Sequence, residues 1–152
     1  MIFLDIQNIS VDSLVHGYEL HEDCYECLFC STTFAIHEVF PQEGRFFTAE
    51  GMMKHHIEHV HTSPFHALLQ LDKKVTGLSE VQIDMLQYFF EGKSDQEIVA
   101  ESNLTSVSTV RQHRFKLREK EKQAKIFLAL MQLMKNPEQY QVHKGARQVD
   151  ER

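Results

Sequence analysis

The chain has little that would disorder it and little that would cross-link it. Glycine and proline together number nine of 152 residues, which argues against a flexible linker or a fibrous repeat. No apolar stretch comes near the roughly 20 residues that a membrane helix needs. The longest is IFLALM at 126–131, and the opening MIFLDIQ lacks the basic start and sustained apolar run of a secretion signal. Cysteine is scarce, with Cys24, Cys27 and Cys30 inside seven residues. Three thiols so close cannot build an ordinary disulfide framework, and a reducing compartment keeps them free for metal. There is no glycine-rich phosphate loop and no nucleophile motif. These absences point to a cytoplasmic globular protein that is not an enzyme and does not enter a membrane.

Positive charge is missing from most of the chain. Residues 1–106 carry five Lys/Arg against 17 Asp/Glu, whereas residues 107–152 carry 11 against five. The net charge of −6 therefore conceals a basic C-terminal third, and the two parts are expected to meet different partners.

Along the chain, Ile6, Ile9, Val11, Leu14 and Val15 suit a short amphipathic helix ending near Gly17. TTFAIHEVF (32–40), PQEGR and FFT read together as one β-hairpin with a Pro/Gly turn. Thr48 is a candidate N-cap for a helix over AEGMMKHHIEHVH, and Ser63-Pro64 restarts the chain into FHALLQLDKK. From 78 onward the pattern is helical, the last piece running from about 106 to 135. The expected organisation is a module over 1–62, a connecting helix over 63–77, a helical domain over 78–135, and a tail over 136–152 that begins a further, truncated domain.

A tetrahedral metal takes two thiolates from a Cys-x-x-Cys turn and two imidazoles from His residues on a helix. Cys27 and Cys30 have the first spacing. Phe47-x5-Met53-x2-His56-x4-His61 has the second, with Phe34, Phe47 and Met53 as the small core beneath the ion. Cys24 with Cys27, and His55 with His59, are competing pairs. The stretch 25–61 resembles a two-Cys, two-His zinc finger, which implies zinc as the cofactor and a ββα-like fold. It departs from that pattern in one respect: 25 residues separate Cys30 from His56, about twice the usual gap, so a longer hairpin is expected. Residues 20–62 hold two basic side chains against seven acidic ones. Phosphates would repel such a segment, so its expected work is structural, or the reception of a signal or protein partner. A small metal nuclease would want an Asn near its His pair, and none stands between residues 9 and 102.

In LSEVQIDMLQYFFEGKSDQEIVAESNLTSVSTVRQHRFKLREK (78–120), apolar stripes occur at Leu78, Met85, Leu86, Phe89 and Phe90, at Ile98 and Val99, and at Val110 and Leu117. Three short helices burying facing stripes make a helix-turn-helix core. From Arg111 to Lys125 there are seven Lys/Arg and two Glu, and a helical wheel turns Val110, His113, Leu117 and Ala124 inward. Leu78-Ser79, Gly92-x-Ser94 with Glu97-Ile98, and Thr109-Val110-Arg111-x-His113 resemble the LuxR-type (GerE-like) helix-turn-helix regulators. The likeness has one extra residue in SNLTSVS, and Ser102 stands where that family prefers Leu. It implies binding to double-stranded DNA, with Arg111 and Gln112 near base edges. Phe115 would meet a thymine methyl or a dimer partner. Arg114, Lys116, Arg118, Lys120 and Lys122 suit phosphates, where charge and reach matter most. The apolar run 124–134 either pairs two copies, as the resemblance implies, or packs back onto Leu86 and Phe90. A finger followed by this domain is also similar to a group of bacterial transcriptional regulators. The alternative is a zinc-containing interaction adaptor without sequence-specific DNA binding.

Overall fold

The computed structural model describes residues 5–138, and the expected further domain at the tail lies largely outside them. The chain divides into two compact units, residues 1–78 and 79–152.

The N-terminal unit opens with α1 (Val11–His16). Its start is fixed by Ser10, whose hydroxyl accepts from the Ser13 N–H, and its stop by Gly17 at φ +85°, the left-handed conformation that ends helices cheaply only in glycine. The expected helix thus forms, but Ile6 and Ile9 precede it. Strands β1 (Tyr18–Leu20), β2 (Cys24–Cys27) and β3 (Thr33–Ala35) make an antiparallel sheet in that order, with Tyr25 opposite Phe34.

The single hairpin expected over 32–48 is therefore two structures. β3 folds back onto β2, while β4 (Phe40–Gln42) and β5 (Arg45–Phe47) form a separate two-residue hairpin. Its turn residues Glu43 and Gly44 have φ of +50° and +76°, the pair of positive values that matches the strand twist in tight hairpins. The unusual gap between Cys30 and His56 is filled by this second hairpin, so the module holds five strands where a ββα unit has two.

Helix α2 (Ala49–His61) starts at Thr48, whose hydroxyl accepts from Gly51 N–H at 3.1 Å. It buries Ala49, Met53 and Ile57, one stripe at four-residue spacing. Cys27, Met53 and Ile57 form the core, flanked by Tyr18, Tyr25, Phe29, Cys30 and Phe34. Phe47, expected in that core, packs at a tilt on His55 instead, ring centroids 5.2 Å apart. After α2, Thr62 takes φ +67° and ψ −53°, and Ser63 N–H donates to His61 O at 2.7 Å, a strained three-residue turn. The segment expected as one connecting helix is two, α3 (Pro64–Leu69) and α4 (Lys73–Thr76). Asp72 caps the second by accepting from Lys74 N–H at 2.7 Å.

Among the described residues, the elements of the C-terminal unit are helices: α5 (Glu80–Phe90), α6 (Asp95–Glu101) and α7 (Val107–Lys135). α5 and α6 begin with reciprocal capping boxes, Ser79 with Gln82 and Ser94 with Glu97, which satisfy two exposed amides each. Met85, Ile98 and Val110, none more than 1% exposed, are the core, and Tyr88, Phe89, Val99, Leu104 and Leu117 pack around it. Leu104 packs against this cluster from the α6–α7 connection. Phe90, expected on the buried face of α5, is 54% exposed. Only the first turns of α7 are packed, because every described residue from 121 onward is exposed. Ala124 is thus outward, against expectation, and the run 126–134 does not pack back onto Leu86 and Phe90. Among the described residues, no helix is long and apolar enough to cross a membrane.

Candidate metal centre and the basic face of α7

Cys27 ends β2, and the chain then turns at once. Ser31 N–H donates to Cys27 O at 3.0 Å, and Cys27 N–H donates to Thr32 O at 2.8 Å. Ser31 sits at φ +58°. This turn swings Cys30 back beside Cys27, facing α2. On α2, His56 follows the buried Met53 by three residues and so points to the same side, while His61 is the last residue of the helix. The donor atoms of Cys27, Cys30, His56 and His61 all lie within 4.8 Å of one another. Aromatic rings enclose them: Phe34 packs on His56 at 6.0 Å and Phe29 on His61 at 5.5 Å between centroids.

Two features make the group more than a coincidence of side chains. His61 Nε2 is buried without a hydrogen-bond partner, a condition that costs about 1–3 kcal/mol unless something fills it. Burial also pushes the Cys27 thiol up to about 11 and holds His56 and His61 below their ordinary value. Both imidazoles are therefore kept in the neutral form that ligates. The four side chains can hold a metal ion, and two sulfur with two nitrogen donors is a set that structural metal sites use.

The competing donors lie elsewhere. Cys24 is three residues before Cys27, on the opposite face of β2. His55 and His59 stack on each other at 3.8 Å, and His59 Nδ1 bonds to His55 O at 2.8 Å. One brace was not legible in the sequence: Tyr18 donates to Glu50 Oε1 at 2.7 Å, tying β1 to the first turn of α2. Burial and the Glu50 carboxylate push the Tyr18 phenol up to about 12.

On α7, Arg111, Gln112, Phe115, Lys116, Arg118, Lys120 and Lys122 are exposed. Arg111, Phe115, Arg118 and Lys122 recur at intervals of three and four, one side of the helix. Lys122 pairs with Glu119 at 2.8 Å. Arg114 is different: its Nη2 donates to Asp95 Oδ1 at 2.8 Å, and its guanidinium lies 4.0 Å from the centre of the Phe89 ring. Asp95 was missed by sequence reasoning, since an acidic residue in a helix's first turn has a sufficient explanation in the helix dipole. Compared with known proteins, the chain matches no family model, no curated protein and no solved structure.

Proposed function

We propose that this chain is a zinc-stabilised transcriptional regulator that binds duplex DNA in a sequence-specific manner. In this reading α5, α6 and the start of α7 act as a helix-turn-helix core, with α7 as the recognition helix. The observation that carries it is the basic surface of α7, where Arg111, Lys116, Arg118, Lys120 and Lys122 stand exposed while residues 1–106 are acidic. Long exposed cations suit phosphates, with Arg111, Arg118 and Lys122 on one side of the helix and Lys116 and Lys120 further round it, and Arg111 and Gln112 at its N-terminal end suit base edges. Zinc fits the two-sulfur, two-nitrogen donor set, which softer or oxygen-seeking metals match less well, and free thiols suit the cytoplasm.

The exposed run from Ile126 to Met134 supports a homodimer, whose two recognition helices would read two half-sites. The second reading, an interaction adaptor, is favoured by Phe46, which is 79% exposed on β5 of the acidic module.

The test is selection of the zinc-loaded chain against a random duplex pool at near-physiological salt, beside an Arg111→Ala, Gln112→Ala double variant. An enriched motif that the variant loses supports the regulator. A folded, zinc-loaded protein that enriches nothing overturns it in favour of the adaptor.

A further inference from the structure

Asp95 stands between two arginines of α7. It is the first residue of α6 and only 21% exposed. Oδ1 accepts from Arg114 Nη2 at 2.8 Å, and Oδ2 lies 3.5 Å from Arg111 Nε. The two arginines are not equivalent. Arg114 is 35% exposed and lies over Phe89, so the ring and the carboxylate fix it and it in turn fixes the carboxylate. Arg111 is 73% exposed and presents Nε to Asp95.

A guanidinium carries five N–H donors in a rigid plane. When the Nε edge faces a carboxylate, the end bearing both Nη groups is the part left to meet a ligand. That end matches the paired O6 and N7 acceptors of guanine in the major groove. A lysine, a single point charge, could not use one edge for a brace and another for recognition. The carboxylate also makes the site selective against phosphate, because a negative charge beside Arg111 weakens a purely electrostatic contact while leaving a directed one intact.

We infer that Asp95 is a specificity-setting positioning residue: locked by Arg114 and Phe89, it orients Arg111 end-on toward a guanine. The inference rests on the proposed DNA-reading function. Asp95 itself touches no base, and its effect is confined to the base pair that Arg111 meets.

The experiment uses the full zinc-loaded chain as wild type, Asp95→Asn, Arg111→Lys, and Asp84→Asn as a charge-matched control at an exposed position of α5. The duplex selected by the wild type is varied one base pair at a time, and affinity is measured for each variant duplex and for a non-specific duplex. Asp95→Asn is expected to lower the preference for guanine at one position per half-site by roughly ten-fold, with other positions unchanged and non-specific affinity equal or higher. Arg111→Lys should lose the same position, and Asp84→Asn none.

A uniform loss across all positions would mark Asp95 as structural and overturn the inference. So would an unchanged guanine preference in Asp95→Asn while Arg111→Lys still loses it. A wild type that selects no duplex removes the DNA-reading proposal and this inference together, and so is distinguishable from both.

Discussion

Cys30 Sγ and His56 Nε2 approach to 3.1 Å across 26 residues of sequence, joining the turn after β2 to the middle of α2. Among the described residues, the core cluster beside them is Cys27, Met53 and Ile57, little apolar surface to hold a unit of this size. A metal held there would supply a large part of the folding free energy of the N-terminal unit. The purified chain should carry one zinc ion, and strong chelation should melt the unit built on β1–β5 and α2. The transition of the helices around Ile98 should remain. Cys30→Ser should lose most of the metal, whereas His59→Ala should keep it. Metal analysis and far-UV circular dichroism read both, and full occupancy in Cys30→Ser would mean a different ligand set.

Proton competition follows from the same geometry. The Cys27 thiol, pushed up to about 11, is protonated at neutral pH and must release its proton to bind metal. His56 and His61, held low by burial, are already neutral there and release none. Metal affinity should therefore rise with pH across the neutral range, with at least one proton released per ion, and fall further once the histidines charge under acid. Calorimetric titration in buffers of different ionisation enthalpy counts the protons. Affinity independent of pH between 6 and 8 would contradict the thiolate ligand.

The sequence made the metal group legible because ligand spacing and apolar companions are local properties: Cys27-x-x-Cys30 sits on one turn, and Met53, His56 and His61 on one helix. Helix starts were legible at Thr48 and Ser63 for the same reason. The strand pairing was not. Whether Phe34 faces Tyr25 or a residue of 46–48 is a non-local choice, decided by the turn at Cys30–Ser31 and by the positive φ of Glu43, a residue without strong turn preference. Phe90 and Ala124 were misjudged because a helical wheel gives a periodic face but not how far along a helix its neighbours extend. The Asp95–Arg114 pair spans 19 residues and two helices, and nothing in periodicity announces it.

Two glycines with similar backbones should respond differently to alanine. At Gly44, φ is +76° and a Cβ would meet nothing within 4 Å, so Gly44→Ala should cost only the left-handed penalty of about 1–2 kcal/mol. At Gly17, φ is +85° and a Cβ would stand 2.8 Å from Phe29 Cε2 and 3.1 Å from Ile57 Cδ1. Both are ring or core atoms beside the metal group, so Gly17→Ala should add overpacking of about 1–3 kcal/mol. Thermal unfolding of the two zinc-loaded variants should rank them in that order. Equal losses would mean that the contact of Gly17 with Phe29 is not maintained in solution.

In the C-terminal unit, Ile98 is 0% exposed between Met85 and Val110, and few other side chains share the load. Ile98→Ala should destabilise this unit by about 2–5 kcal/mol, enough to consume much of a small domain's stability. Zinc content should be unchanged, since the metal group lies in the other unit. Denaturant unfolding followed by circular dichroism, with metal analysis on the same sample, tests both halves of the prediction.

The last described turns of α7 should report whether the chain pairs with a second copy. Ile126, Phe127, Leu128, Leu130, Met131, Leu133 and Met134 are each between 40% and 70% exposed, and together they exceed the scattered apolar side chains that a monomer's surface tolerates. A helix apolar on most sides belongs inside something, and a second copy supplies an identical face. Phe127→Glu with Leu130→Glu should leave the fold of the monomer intact, because neither side chain buries surface within its own chain, and such sites usually shift stability by less than about 0.5 kcal/mol. Sedimentation should find the wild type dimeric at micromolar concentration and the variant monomeric, both with the same unfolding temperature for the Met85–Ile98–Val110 core. If the two half-sites are read together, the same variant should also lose about 10²–10⁴ in affinity for a two-fold duplex while keeping its affinity for a single half-site. A monomeric wild type would leave α7 to another partner, and an unstable variant would mean that this stretch folds back after all.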